Sequence, residues 1–298
     1  MKTILITGAT RGLGLAIAQA LNAVDGLSLV LAVRDVHAGE QVARGLRRDT
    51  RVVALDVGQQ ASIARFVNGW NEPLAGLVNN AGLQLTGPTS FTADGVEQTL
   101  AVNHLGALQL TLGLLPHLRG GRVLAIGSGT HHPEHPGATR FGFRGARYTT
   151  IDALARGVTD APDDRQAGLD RYATSKLLGM VTMMEMARRA PQTTFLTLDP
   201  GMMPGTGLAR TAPWYQRLAW STVVKWLVPV LDDASTPTRS AQAARRLLLD
   251  DGVRSGEVYD AAGQVSSRVW PPAREPTLAA RAVDESVAFL GPPLVARV

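Results

Sequence analysis

Ile4-Leu5-Ile6-Thr7-Gly8-Ala9-Thr10-Arg11-Gly12-Leu13-Gly14-Leu15 reads as an apolar strand running through a glycine-rich turn into a helix. Glycines in such a turn let the chain reverse tightly, let a pyrophosphate approach the backbone, and let the helix pack closely on the strand. The helix start offers N–H groups and a partial positive charge to phosphate oxygens. A turn of purely structural purpose is the competing reading, and the rest of the chain must weigh between them.

Working outward, strand-like and helix-like stretches alternate through the first two-thirds of the 298 residues. Strands are predicted at Thr3–Thr7, Ser28–Val33, Arg51–Leu55, Gly76–Val78, Arg122–Ile126 and Thr194–Leu198, with a last one near Gly256–Tyr259. Several are near-continuous apolar runs, as strands buried on both faces require. Amphipathic segments at Leu13–Leu21, Ala61–Trp70, Val96–Leu115 and Tyr172–Ala190 lie between them. The pattern predicts an α/β fold, a doubly wound parallel sheet of about seven strands with helices on both faces, in a single domain over residues 1–298. Two excursions, at about 129–171 and 202–250, follow strand ends on the side where open α/β sheets bind ligands. They are expected to form a substrate site and its lid.

Composition narrows the function. The chain has no cysteine, so disulfides, thiolate metal sites and cysteine nucleophiles are excluded. Its net charge of +5 comes from 27 Arg and 3 Lys against 25 acidic residues, scattered along the sequence. That argues for a solvated surface and against nucleic-acid binding. The longest apolar run, Leu218 to Leu231, is broken by Lys225 and Pro229 and is too short to span a bilayer. No integral membrane segment is expected, the strand begins with no signal peptide before it, and a cytoplasmic location follows as an expectation.

The residue ending the second strand tests which dinucleotide fits. An acidic residue there would hold a free ribose 2′-hydroxyl. The chain has Arg34, with Arg11 inside the glycine turn, and two guanidinium groups suit a 2′-phosphate. Asp35 could serve the ribose if the strand ended one residue later, or could cap a helix starting near Val36.

Chemistry is expected around Tyr172 and Lys176, four apart on one helix face. A free phenol has a pKa of about 10 and is a poor base at neutral pH. A neighbouring ammonium lowers that value and makes the phenol a usable acid/base. A surface tyrosine stacked on a lysine stem is the plainer reading of the pair alone. Ser128 ends the fifth strand, where its hydroxyl could donate to a substrate oxygen. Asn79-Asn80-Ala81-Gly82 ends the fourth strand. Asn103 interrupts an amphipathic helix, where a satisfied core amide is the alternative.

Together, Thr7-Gly8-x-x-x-Gly12-x-Gly14, Asn79-Asn80-Ala81-Gly82, Ser128, Tyr172-x-x-x-Lys176 and Pro200-Gly201 resemble the ordered motifs of the short-chain dehydrogenase/reductase family over about residues 1–201. The resemblance implies a Rossmann fold and an NADP(H)-dependent oxidoreductase acting on a small-molecule carbonyl/alcohol pair. It implies catalytic roles for Asn103, Ser128, Tyr172 and Lys176. Tyr172 would exchange the proton, Lys176 would also bond the nicotinamide ribose, and Asn103 would position a relay water. It implies cofactor contacts from Gly8, Thr10, Arg11, Gly12, Leu13, Gly14, Arg34, Asp56, Val57, Asn80, Ala81, Gly82, Tyr172, Lys176, Pro200, Gly201 and Met203, and no metal.

Within the family, Val102-Asn103-His104-Leu105-Gly106, the long Ser128–Tyr172 separation and Gly205-Thr206-Gly207-Leu208 resemble bacterial relatives of retinol dehydrogenases and protochlorophyllide reductases. The long separation lies beside a helix that many members use for oligomer packing, so a monomer or an altered oligomer is expected. Trp214, Tyr215, Trp220 and Trp226 offer surface for a bulky apolar or aromatic substrate, or simply pack the second excursion onto the core. Peripheral membrane contact through the same stretch has only Lys225 and Arg217 as basic anchors. His131, His132 and His135 are expected to be solvent-exposed or beside the substrate, and Phe141-Gly142-Phe143-Arg144 to line the pocket mouth as a mobile flap. The leading expectation is reduction of a ketone or aldehyde. Reduction of a C=C bond on the same scaffold, and a non-catalytic NADP(H)-binding redox sensor, are the alternatives.

Overall fold

The computed structural model describes residues 1–46, 49–203 and 235–291. Gly205–Leu208 and the tryptophan-rich stretch with Trp214, Trp220 and Trp226 lie outside the described residues. No helix among the described residues is long and apolar enough to cross a membrane.

Burial on both faces decides the strands. Along β1 (Lys2–Thr7), Ile4 and Ile6 pack on one side of the sheet and Leu5 on the other. In β2 (Leu27–Val33), Leu29, Leu31 and Val33 take one side and Val30 and Ala32 the other. Strands of this kind need helices on both sides. With β3 (Thr50–Ala54), β4 (Gly76–Asn79), β5 (Arg122–Ile126), β6 (Thr194–Leu198) and β7 (Val258–Tyr259) they form one parallel sheet in the order β3-β2-β1-β4-β5-β6-β7. The strand ends differ from the sequence expectation by two residues at most.

Ile17 and Leu21 of α1 (Gly12–Asn22) and Ala243 and Leu247 of α9 (Pro237–Leu249) cover the Ile4 face, with Val42 of α2 (Val36–Arg44) at its margin. On the Leu5 face lie Ile63 of α3 (Gln60–Asn68), Leu108 and Leu112 of α5 (Gly106–Leu114), Met183 of α8 (Asp164–Arg189) and Val283 of α10 (Pro276–Leu290). Strand order reverses between β1 and β4, which opens a crevice at the strands' carboxyl ends.

Three expectations change. The single helix over Val96–Leu115 is instead a short α4 (Gln98–Leu100), a π-helical segment Ala101–Leu105, and α5. Helix α8 was expected to start near Tyr172 but begins two turns earlier, where Asp163 Oδ1 accepts from the Gln166 N–H at 2.7 Å. Its first turns are polar, and Gly168 sits there because a Cβ would lie 2.1 Å from the Leu85 carbonyl oxygen. The first excursion therefore ends at Asp163 and carries α6 (Pro136–Thr139) and α7 (Ile151–Ala155). The second cannot reach Asp250. Helix α9, capped by Thr236, occupies 237–249 against the sheet. The sequence reading placed no element over α10.

His104 in the π segment is fully enclosed and fixes α10 to it. Ser286 Oγ donates to the Ala282 carbonyl at 2.6 Å and so accepts from His104 Nε2–H at 2.7 Å. Burial pulls the His104 pKa down to about 3. Below about pH 6.5 the unfolded chain takes up a proton that the native ring refuses, so stability falls with acid. Between about pH 7.5 and pH 5, His104 alone should cost about 2 kcal/mol in urea denaturation. The variant His104→Gln should lose that share of the slope; an unaltered slope would contradict the buried neutral imidazole.

Candidate functional site

The site grows from the end of β1. Gly8 has φ +67° and a Cβ there would lie 2.9 Å from Ala81 Cα. Gly14 is a contact glycine: its Cβ would meet both Asn80 Nδ2 and the Gly8 carbonyl oxygen. Gly12 differs, with φ +57° and open space where its side chain would stand. No side chain caps α1, and no acidic residue sits in its first turn. The turn thus presents bare backbone and a helix N-terminus to the crevice, which suits an anion such as a pyrophosphate.

Thr7 closes the seam beneath. Its Oγ1 accepts from the N–H groups of Asn80 and Ala81, each at 3.0 Å, and donates to the Val78 carbonyl at 3.2 Å. Asn80 Nδ2 donates back to the carbonyls of Thr7 (2.9 Å) and Gly8 (3.1 Å). Asn79 Nδ2 donates to Thr111 Oγ1 at 2.8 Å. Both asparagines therefore spend their side-chain amides on the scaffold.

One cleft of about 1450 Å³ runs along the carboxyl ends of the strands. Its lining includes Gly8, Thr10, Arg11, Gly12, Leu13, Gly14, Arg34, Asp56, Val57, Asn80, Ala81 and Gly82 toward one end. Ser128, Tyr172, Lys176, Pro200, Gly201 and Met203 line it further along. Of the catalytic and cofactor-contact residues that the family resemblance implies, only Asn103 lies outside this lining. Arg34 is exposed and pairs with nothing among the described residues. Asp35 Oδ1 accepts from the Ala38 N–H at 3.0 Å, so it caps α2. Asp56 holds the following turn through the Gly58 N–H at 2.9 Å.

Asn103 works from behind. Its Oδ1 accepts from the Leu83 N–H at 2.8 Å, and its Nδ2 donates to the Leu83 carbonyl (2.9 Å) and to Ser175 Oγ (3.0 Å). Ser175 Oγ in turn donates to the Tyr172 carbonyl at 2.7 Å. Lys176 Nζ donates to the Ile126 carbonyl at 2.9 Å and stands 5.5 Å from the centroid of the Tyr172 ring.

Electrostatics correct one expectation. The Tyr172 phenol lies above its ordinary pKa, pushed up by burial and then by the Asp199 carboxylate, against an opposing hydrogen bond with Ser128. Burial lowers the Lys176 ammonium to about 8, while Asp199 holds it up. The phenol is therefore not drawn toward the phenolate, because desolvation and the Asp199 carboxylate both keep its proton in place. Asp199 was missed in the sequence although it immediately precedes Pro200-Gly201. It lines the cleft at the end of β6, and its Oδ1 accepts from the Gly201 N–H at 3.0 Å.

The histidines separate. His135 lines the cleft, as expected of a residue beside the substrate. His131 is buried, contrary to expectation. Its Nε2 accepts from the Trp270 N–H at 3.2 Å, which leaves Nδ1–H to donate to the Ser128 carbonyl at 2.6 Å. The Phe141–Arg144 stretch, expected to be a mobile flap, is tied down. Arg144 pairs with Asp170, and the next residues bond to the core through Ala146 N–H to the His131 carbonyl (3.1 Å) and Arg147 N–H to Thr174 Oγ1 (2.7 Å).

A family model described as short chain dehydrogenase matches residues 2–142. Human retinol dehydrogenase 11 is 30% identical over 98% of this chain and 87% of its own length. The chain belongs to the short-chain dehydrogenase/reductase family. Pea chloroplastic protochlorophyllide reductase is 32% identical over 70% of this chain, which spans 57% of that relative, and both relatives fit the branch that the motifs indicate. A crystal structure of an uncharacterized protein from Mycobacterium paratuberculosis shares the fold at a TM-score of 0.71, with 23% identity over 97% of this chain and 93% of that one. The chain is therefore an oxidoreductase of that family.

The two glycines should fail differently. Gly12→Val fills the space that faces the cleft and should weaken nicotinamide dinucleotide binding by about tenfold or more in fluorescence titration, beyond a backbone cost of roughly 1–2 kcal/mol. Gly14→Ala forces side chain against backbone and should cost about 1–3 kcal/mol in thermal or urea unfolding. Equal loss of binding and stability in both would refute the division.

Proposed function

We propose that the protein is an NADP(H)-dependent reductase of ketones or aldehydes carried on a fairly bulky apolar or aromatic substrate, with Tyr172 as the proton donor. One observation carries the reading. Ser128, Tyr172 and Lys176 line one stretch of the cleft, with the phenol held in its neutral form. A general acid must keep its proton until the substrate oxygen needs it.

Gly8, Thr10, Gly12, Leu13 and Gly14 would hold the pyrophosphate, with Asp56, Val57, Ala81 and Gly82 beside the adenosine half. Arg11 and Arg34 would take a 2′-phosphate, as guanidinium forks suit phosphate. That Asp35 is spent on capping α2 supports NADP(H) over NAD(H). Lys176 would hold the nicotinamide ribose, with Pro200, Gly201 and Met203 along the ring. When bound, the reduced nicotinamide supplies the hydride for the carbonyl carbon.

Ser128 donates a hydrogen bond to the substrate oxygen, and Tyr172 gives that oxygen its proton. The Lys176 ammonium stabilises the phenolate left behind. Asn103 keeps α8 in register with the Leu83 turn. A relay water that it positions cannot accept from its side-chain amide, since both amide protons are spent. Leu83, Leu85, Phe141, Phe143, Leu169 and Val265 give the substrate side of the cleft an apolar lining. That lining supports a bulky apolar substrate.

The deciding assay follows reduced-nicotinamide absorbance with a panel of polycyclic aromatic ketones, quinones and aldehydes. NADPH should be preferred over NADH by about tenfold or more, and Arg34→Ala should erode the preference by a similar factor. The variant Tyr172→Phe should lose about 10²–10⁴ in turnover while still binding NADPH. NADPH binding without turnover of any carbonyl would sink the proposal.

The pH profile of kcat/KM for NADPH reports the free enzyme. It should hold to near pH 7.5 and fall above about pH 8 as Lys176 loses its proton. Asp199 holds the ammonium up, so Asp199→Asn should move the fall to lower pH. A shift to higher pH, or none, would refute the coupling.

A further inference from the structure

The insertion between β5 and α8 carries a side-chain pair, Phe143 and Arg144, of which the first lines the substrate side of the cleft. In Phe141-Gly142-Phe143-Arg144-Gly145, both glycines have φ +85°, so the backbone turns sharply on each side of Phe143-Arg144. The two side chains go to different places on α8. Phe143 packs on the Tyr172 ring at a centroid distance of 6.0 Å and an angle of 49°, within the range of favourable tilted aromatic pairs. It is only half-buried, and it also lines the cleft. Arg144 grips Asp170, with Nε 3.1 Å from both carboxylate oxygens and Nη2 2.6 Å from Oδ2.

Asp170 is buried, and Gln166 Nε2 donates to its Oδ1 at 2.8 Å. A second carboxylate, Asp160, accepts from Arg144 Nη2 at 2.9 Å. A charge-assisted, multiply bonded guanidinium of this kind fixes orientation as well as distance. Asp170 lies two residues before Tyr172 on the same helix. The Phe143 ring is thus referenced to the phenol through the Arg144–Asp170 bonds, while Asp160 and the Ala138 carbonyl, which accepts from the Phe143 N–H at 3.3 Å, tie the turn to the rest of the insertion.

We propose that Phe143 is a specificity-determining residue, the wall on which the apolar substituent of a carbonyl substrate packs, and that Arg144 and Asp170 position it. The inference rests on the carbonyl-reductase reading. A small ketone reaching Tyr172 leaves most of the Phe143 face uncovered. A ketone with a flat ring beside its carbonyl covers that face and gains the burial.

The test uses the full chain with 2-acetylnaphthalene as the bulky probe and 2-butanone as the small one. Binding of 2-acetylnaphthalene to the NADP⁺-loaded protein is measured alongside steady-state reduction of both ketones. Phe143→Ala should raise Kd and KM for 2-acetylnaphthalene by about tenfold or more. The fall in kcat/KM should be at least about fivefold larger for 2-acetylnaphthalene than for 2-butanone. Asp170→Asn should move the same ratio in the same direction, and Phe143→Trp should restore tight binding of the bulky probe. Thermal unfolding of each variant separates loss of fold from loss of the wall. Equal losses on both ketones, an unchanged Kd in Phe143→Ala, or no binding of 2-acetylnaphthalene to the parent protein would overturn the proposal. If the parent protein binds 2-acetylnaphthalene but oxidises no NADPH, the reductase reading falls, and the Kd comparison still decides the role of Phe143.

Discussion

The hydroxyl of Thr7 sits where the sheet changes direction, and the site depends on what it does there. Order reversal between β1 and β4 sends their following chains to opposite sides and leaves the crevice open. Left alone, the ends of two such strands would carry unpaired N–H and C=O groups in a half-buried place, which is costly. One side-chain oxygen satisfies two of those donors and one acceptor, and Asn80 returns two more bonds to Thr7 and Gly8. The glycine turn is therefore held from below by β4 while its upper surface stays bare. Gly14 has no side chain because Asn80 and the Gly8 carbonyl occupy that place, and Gly12, at φ +57°, leaves open space above the turn.

Helix α8 supplies the second fixed reference. Gly168 lets the Leu85 backbone lie directly against it, and Ser175 joins it to Asn103. The buried pair of Arg171 Nε with Glu97 Oε1, at 3.4 Å, ties it to the start of α4. Arg171 also donates to Thr89 Oγ1 at 2.9 Å, and Glu97 accepts from the N–H groups of Thr99 and Leu100. A buried ion pair contributes little net stability, since desolvation offsets most of the attraction. Its use here is geometric. It orders the stretch from Leu83 to Glu97, whose first residues line the cleft above Tyr172.

The sheet was legible because its strands are buried on both faces and therefore read as apolar runs with little ambiguity. The glycine turn and the Tyr172–Lys176 spacing were legible because each is local, set by residues within one turn of chain. What escaped is nonlocal. The start of α8 is hidden by its polar first turns and by Gly168, whose reason is a loop more than eighty residues away. Gly106, just after the π segment, answers to Val57, whose carbonyl oxygen would lie 1.9 Å from a Cβ there. Arg144 and Asp170 look like two more surface charges in a chain full of them until the fold brings them together. Asp199 shows only as a polar residue at a strand end, and its influence on Tyr172 and Lys176 exists only once β6 lies beside α8.

The same distinction explains why local reasoning misjudged the phenol. Counted along the helix, Tyr172 has a cation one turn away, which favours the phenolate. Counted in space, it has lost most of its water and faces a carboxylate, and both disfavour the phenolate. Lys176 is itself partly desolvated, and its ammonium donates to the Ile126 carbonyl. Burial and Asp199 win, and the neutral phenol is the resting form. A neutral phenol is the wrong state to take a proton from an alcohol and the right state to give one to a nascent alkoxide. The free protein thus holds its phenol as a proton donor, the form that the proposed reduction needs.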